Sequence, residues 1–125
     1  MLNDAEVYAV LPASDLGRAR GFYQDTLGLE PAQERPDGLV YESKNGAKIL
    51  LYETQFAGTA QNTALSWATT DLDGEMADLR SRGVVFEEYD FPGLKTENGV
   101  ATYPDGRGAW FKDSEGNILS VTEMN

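Results

Sequence analysis

Cysteine and histidine are both absent from the 125 residues. Without cysteine there is no disulfide, no thiolate nucleophile and no zinc–thiolate site. Without histidine the chain lacks the commonest general base and the commonest transition-metal ligand. Basic residues are scarce: 10 lysines and arginines face 21 aspartates and glutamates, a net charge of −11. A surface of that sign repels nucleic acid and anionic membrane. A neutral or cationic small molecule is the easier partner, although solubility alone accounts for acidity of this kind. No apolar run is long enough to span a bilayer. The N-terminal MLNDAEVY has neither the basic region nor the apolar stretch of a secretory signal, so a cytoplasmic protein is expected.

What remains is enough for one folded domain. Hydrophobic residues make up 41% of the chain, which supports a packed core and argues against disorder. The stretch VYAVLPASDLGRARGFYQDTLG, residues 7–28, organises the rest. Its apolar start predicts a strand over Glu6–Pro12. Ser14 or Asp15 can cap a following helix by accepting from an orphan backbone N–H. Leu16, Ala19, Tyr23 and Leu27 make one helical stripe with Phe22 beside it, and Gly28 supplies a left-handed stop. Strands are then expected at Leu29–Arg35, Leu39–Ser43 and Lys48–Thr54, with turns at Pro36-Asp37-Gly38 and Asn45-Gly46. This order reads βαβββ.

The order restarts after a small, polar linker at 55–62. Ala64–Thr69 predicts a strand. Asp71 caps a helix with the stripe Leu72, Met76 and Leu79, and Gly83 stops it. Further strands are expected at Val84–Tyr89, Gly108–Lys112 and Asn117–Thr122. The chain thus reads as one domain, 1–125, built of modules over about 5–54 and 63–123. The helix signals of the two modules keep a nearly constant offset, but their hairpin glycines, Gly46 and Gly116, do not. Roughly 14 extra residues must therefore fall within Phe91–Arg107, and a loop that long is a lid, a binding loop or disordered. Its Phe91, Leu94, Val100 and Tyr103 favour a packed loop.

Three segments carry a family resemblance: SDLGRARGFYQDTLGLEP, TTDLDGEMADLRSRGVVF and AWFKDSEGNILSVTE. In this order on a βαβββ duplication they resemble the vicinal oxygen chelate superfamily, which includes glyoxalase I, extradiol dioxygenases, and fosfomycin and bleomycin resistance proteins. The last segment usually contains Asp-Pro-Asp-Gly-Asn; here Ser114 replaces the proline. The resemblance implies an α+β fold in which two βαβββ modules form a curved mixed sheet around a cleft, with helices on the outer face. It also implies a homodimer with two sites.

Metal-dependent relatives hold a divalent ion through His, Glu or Gln on the sheet strands. The matching positions here are Tyr8, Leu50, Ala64 and Ser120. Leu50 and Ala64 have no side-chain donor, and phenol or hydroxyl oxygens are poor neutral donors for such a cation. Glu53 and Glu123 have the wrong strand parity. The expectation is therefore no metal and no cofactor, and with them goes the ion that polarises a substrate oxygen.

A cleft remains. Alternation puts Tyr8 and Val10, Lys48, Leu50 and Tyr52, Ala64, Ser66 and Ala68, and Ile118, Ser120 and Thr122 on its face. Val7, Ala9, Leu11, Ile49, Leu51, Leu65, Trp67, Leu119 and Val121 fall on the core face. Phe111 reads as core, which leaves Trp110 and Lys112 on the cleft side. The expected ligand-binding set is Tyr8, Val10, Lys48, Leu50, Tyr52, Ala64, Ser66, Phe91, Trp110, Lys112 and Ser120. Tyr8, Tyr52 and Trp110 could stack on a flat ligand or face a cation, or these side chains could simply fill the cleft. Two functional readings follow. One is a small-molecule binder that sequesters an organic or cationic compound without a metal. The other is an atypical lyase, isomerase or dioxygenase of the same superfamily, whose catalytic residues the sequence does not identify.

Overall fold

The helices form where their caps and stripes predict them. In the computed structural model, which describes residues 1–125, α1 spans Leu16–Asp25 and α2 spans Leu72–Ser81. The Asp15 carboxylate accepts from the Arg18 N–H at 3.0 Å, and the Asp71 carboxylate from the Gly74 N–H at 3.0 Å. Each bond satisfies a donor that the first helical turn leaves orphaned. Ala19 and Tyr23 of α1 are buried, as are Leu72, Met76 and Leu79 of α2. Gly83, at φ +96°, lets α2 close with Gly83 N–H on the Arg80 carbonyl and Val84 N–H on the Leu79 carbonyl.

Each helix lies beside its own mixed sheet. The first sheet contains β1 (Tyr8–Ala13), β2 (Gln33–Arg35), β3 (Gly38–Glu42) and β4 (Lys48–Glu53), in the order β1-β4-β3-β2. β1 and β4 are parallel and the other pairs antiparallel. The second sheet contains β5 (Thr63–Ala68), β6 (Asp90–Phe91), β7 (Leu94–Glu97), β8 (Val100–Tyr103), β9 (Gly106–Lys112) and β10 (Ile118–Met124). Its order is β5-β10-β9-β8-β7-β6, again with one parallel pair, β5 and β10. The two halves thus repeat one pattern, a strand, a helix and then antiparallel strands whose last member returns parallel to the first, which is the α+β duplication expected.

Four local expectations are corrected. Leu29–Arg35 yields only the three-residue β2. Val84–Tyr89 is extended but not a strand: β8 already occupies the edge of β9 at its Gly106–Gly108 end, so only the Glu87 N–H reaches β9, on the Trp110 carbonyl at 2.8 Å. The extra segment 91–107 is not a loop but a meander, since its alternating residues let β7 and β8 extend the sheet. Val7 is exposed, because it precedes the first paired residue of β1.

The core faces of both sheets meet the helices in one cluster of 17 buried residues. Leu11, Leu51, Leu119 and Phe111 are each at most 1% exposed, so the strand phases inferred from alternation hold for the core. Burying one such side chain contributes about 1.5–3 kcal/mol. Tyr23 packs against the Tyr41 ring at 5.5 Å, and Phe86 against Phe111 at 5.7 Å.

One turn ties the halves together. Residues 113–117 join β9 to β10, and the Glu115 side chain is completely buried. It accepts from the Ser14 N–H at 2.9 Å, the Asp15 N–H at 3.0 Å and the Arg18 Nε at 2.8 Å. Burial alone would raise its pKa, but the Arg18 guanidinium, the helix N–H groups and the Ser114 hydroxyl outweigh burial and hold it down at about 2. The Asn117 amide donates to the Pro12 carbonyl, and the Tyr23 hydroxyl to Asp113 at 2.8 Å. The turn also needs glycine at Gly116, at φ +86°, where a Cβ would come within 2.9 Å of the Gly58 Cα in the linker.

Candidate functional site

The outer face of the second sheet carries a cavity of about 400 Å³. β9 begins it. Ala109 and Phe111 point into the core, so Trp110 and Lys112 point the other way. β10 adds Ile118, and β5 adds Thr63, whose hydroxyl accepts from the Trp110 indole N–H at 3.1 Å. The extended segment before the meander supplies Glu87 and Tyr89, and the meander supplies Phe91 and Leu94. The end of the linker, Gln61 and Asn62, makes the polar rim.

The aromatic rings are set for contact with a flat molecule. Tyr89 stacks near Phe91 at 5.9 Å and 29°, and meets Trp110 edge-on at 5.8 Å and 75°. Such offset and edge arrangements follow from the ring quadrupoles and keep the ring faces ordered. Phe91 is 60% exposed, so its face is open to an incoming ligand. Burial first, and then the nearby Glu87 carboxylate, raise the Tyr89 pKa, which keeps the phenol neutral and able to donate. Lys112 Nζ lies 3.9 Å from Glu87 Oε1 and both groups reach solvent, so the pair is weak and either charge can turn to a ligand.

The expected site residues divide between two places. Phe91, Trp110 and Lys112 line this cavity. Ala64, Ser66 and Ser120 belong to the same sheet but not to the cavity lining. Ser120 is only 3% exposed, with its hydroxyl donating to Ser66 Oγ at 2.6 Å. Tyr8, Val10, Lys48, Leu50 and Tyr52 stand on β1 and β4 of the other sheet. There Lys48 Nζ pairs with Glu6 at 2.8 Å and lies 5.7 Å from the Tyr8 ring centroid. Val10 is 54% exposed, so this face is open rather than filled.

Sequence reasoning missed Gln61, Asn62, Thr63, Glu87, Tyr89 and Leu94. Their signal was the polar end of the linker and the aromatic spacing Tyr89-x-Phe91, both on segments whose pairing the repeat does not specify.

The residues at the positions that the resemblance assigns to a metal do not fit a divalent ion. Leu50 and Ala64 offer only hydrocarbon, and the Ser120 hydroxyl is engaged by Ser66. The Glu123 carboxylate is committed to Arg107 Nη2 at 2.8 Å and to the Leu72 N–H at 3.1 Å, and these partners lower its pKa. No group of three or more acidic side chains converges elsewhere.

No family model and no curated protein sequence matches the chain. Solved structures do. UcmS2 superposes with a TM-score of 0.74 at 17% identity, covering 94% of this chain and 96% of that one. TnmS3, an antibiotic binding protein from Streptomyces sp. CB03234, gives 0.68 at 24% identity, covering 97% and 96%. A glyoxalase/bleomycin resistance protein/dioxygenase from Nocardioides gives 0.68 at 19% identity, covering 96% and 83%. With its two mixed sheets, each holding one parallel strand pair, the chain has the glyoxalase/bleomycin-resistance fold of these neighbours.

Proposed function

We propose that this protein binds a small organic compound, without a metal, in the cavity beside Trp110. The observation that carries the reading is the ordered trio Tyr89, Phe91 and Trp110 around about 400 Å³, rimmed by Gln61, Asn62 and Thr63. Aromatic walls with polar groups placed among them suit a small organic molecule, and five of the ten lining residues here are apolar. The chain's net charge of −11 favours a cationic or neutral ligand over an anion. The likeness to an antibiotic binding protein supports the same reading. Sequestration rather than turnover is part of it, because the superfamily's metal positions carry no usable donor set.

A homodimer also belongs to the proposal. The face of the first sheet leaves Val10 and Tyr52 open, and a second copy is the partner we assign to it. The domain limits 1–125, the modules at about 5–54 and 63–123 and a cytoplasmic location complete the reading. No helix is long and apolar enough to cross a membrane.

The test is a thermal-shift screen of organic compounds against the purified chain, run with and without a chelator. A binder raises the melting temperature by mass action, quenches Trp110 fluorescence and is indifferent to the chelator. Replacing Trp110 with alanine then weakens binding about tenfold, the loss of one well-placed aromatic contact. A broad library with no shift, or a shift that needs added metal, overturns the reading. Light scattering on the same sample gives the oligomeric state.

A further inference from the structure

A second cavity lies away from the Trp110 site, where the two halves meet. Its volume is about 260 Å³. Leu27 and Leu29, from the segment leaving α1, form one wall. Trp67 of β5, Leu79 of α2 and Phe111 of β9 form the others. It opens to solvent on one side, and most of its wall is apolar. An engineered apolar cavity of about 150 Å³ stays dry and takes up benzene, so this one has room for a one-ring molecule with a short side arm.

The mouth of the cavity is chemically marked. Glu75 of α2 is its charged wall residue, and it is exposed. No ion pair engages its carboxylate. The two arginines near it along the helix are engaged by other partners: Arg80 donates to the Asn98 carbonyl, and Arg82 pairs with Asp78 and donates to the Thr26 carbonyl beside the Leu27 wall. A free carboxylate at the mouth of an apolar pocket, on a protein of net charge −11, complements a cation with an apolar body.

We propose that this cavity is a separate binding site for a small aryl-alkyl ammonium compound, its ring against Trp67 and its ammonium at Glu75. Such a ligand touches Leu27 and Leu29 of one half and β5 and α2 of the other. It therefore stabilises the junction as well as occupying it.

The chain's two tryptophans make the test direct, since Trp67 lines this cavity and Trp110 the other. Phenethylamine is titrated into the full chain while amide and indole NMR signals are followed, the indoles being assigned with Trp67→Phe and Trp110→Phe. The expected result is a saturable shift of the Trp67 indole and the Leu27 and Leu29 amides, with the Trp110 indole unmoved. Phenethyl alcohol binds more weakly and hydrocinnamate more weakly still. Glu75→Gln lies on the surface, and it weakens the amine about fivefold while leaving the alcohol unchanged. No saturable shift of Trp67 at millimolar amine overturns the proposal. So does a response confined to Trp110, or an amine affinity indifferent to Glu75→Gln. Failure here leaves the Trp110 site untouched, because each reading has its own reporter.

Discussion

The two halves share a frame and differ in what they add to it. In each, a helix capped by aspartate follows the first strand, and the last strand returns parallel to it. The first sheet stops at the three-residue β2, and its outer face leaves Val10 and Tyr52 open. The second continues through β7 and β8, and the meander's Phe91 and Leu94 wall a cavity. The second half also holds the helices. Glu115 grips the start of α1 across the junction, and Glu123 grips the start of α2 within its own half. The difference between these two carboxylates is burial: the Glu115 side chain has no exposed surface, whereas that of Glu123 keeps 24%. The lesson is that, beside the shared core, one buried turn ties the halves through polar contacts, and the strength of each such tie should follow its access to water.

Removing Glu115 is the largest break available. Glu115→Ala leaves the Ser14 and Asp15 N–H groups without their acceptor and Arg18 without its partner, and should cost about 3 kcal/mol in urea unfolding. The same tie gives a pH signature. The folded pKa of Glu115, about 2, lies below the ordinary value of 4.5. Its contribution is therefore complete above about pH 4.5 and disappears as the pH falls toward 2. The stability gap between wild type and Glu115→Ala should close across that interval. A gap that persists at the acid end would mean that the turn acts through packing rather than charge.

That turn also shows how far the sequence could be read. Caps, stripes and stopping glycines are local, so Asp15, Asp71, Gly28 and Gly83 announce the helices. The period-2 pattern of β1, β4 and β10 separates Leu11, Leu51 and Leu119 from the outer face. What Glu115 touches is not local: its partners lie about a hundred positions earlier, and nothing in the sequence pairs them. The candidate site was legible only in part. Trp110 and Lys112 follow from the phase of β9, and Phe91 from the extra segment. Tyr89 does not, because Val84–Tyr89 has strand-like composition but no free edge to pair with. Tyr8 and Tyr52 stand on the first sheet and Ser120 on the second, one on each of the two modules expected around the cleft.

The next tie in size is the Tyr23 hydroxyl on Asp113. Tyr23→Phe keeps the ring against Tyr41 but leaves a buried carboxylate oxygen short of one donor. The expected loss is about 2 kcal/mol, since a hydrogen bond to a charged group is involved. Burial and then Asp113 push the Tyr23 pKa upward, so the neutral phenol persists through alkaline pH and the tie should hold there. Below it ranks Glu123→Ala. This variant frees Arg107 and the α2 N-terminus, but water reaches both, so a loss clearly smaller than at Glu115 is expected. A loss equal to that of Glu115→Ala would refute burial as the deciding variable.

The smallest effect is expected at the tyrosine that Tyr23 stacks on. Tyr41 is 2% exposed, and its hydroxyl is buried without a hydrogen-bond partner. Burial raises its pKa, so the group is a neutral phenol whose oxygen has lost water and gained nothing in return. Tyr41→Phe keeps the ring contact at 5.5 Å from Tyr23 and removes only that unpaired oxygen. Its cost should be about zero, or the variant should be slightly more stable, because truncating an unsatisfied group recovers its desolvation penalty while opening little space. The pair is a sharp control. Two phenols in ring contact, both buried, lose the same atom, yet only the one whose oxygen crosses to the other half should register in the urea midpoint. Equal losses at Tyr23 and Tyr41 would show that the ring cluster, and not the turn at 113–117, holds the halves together.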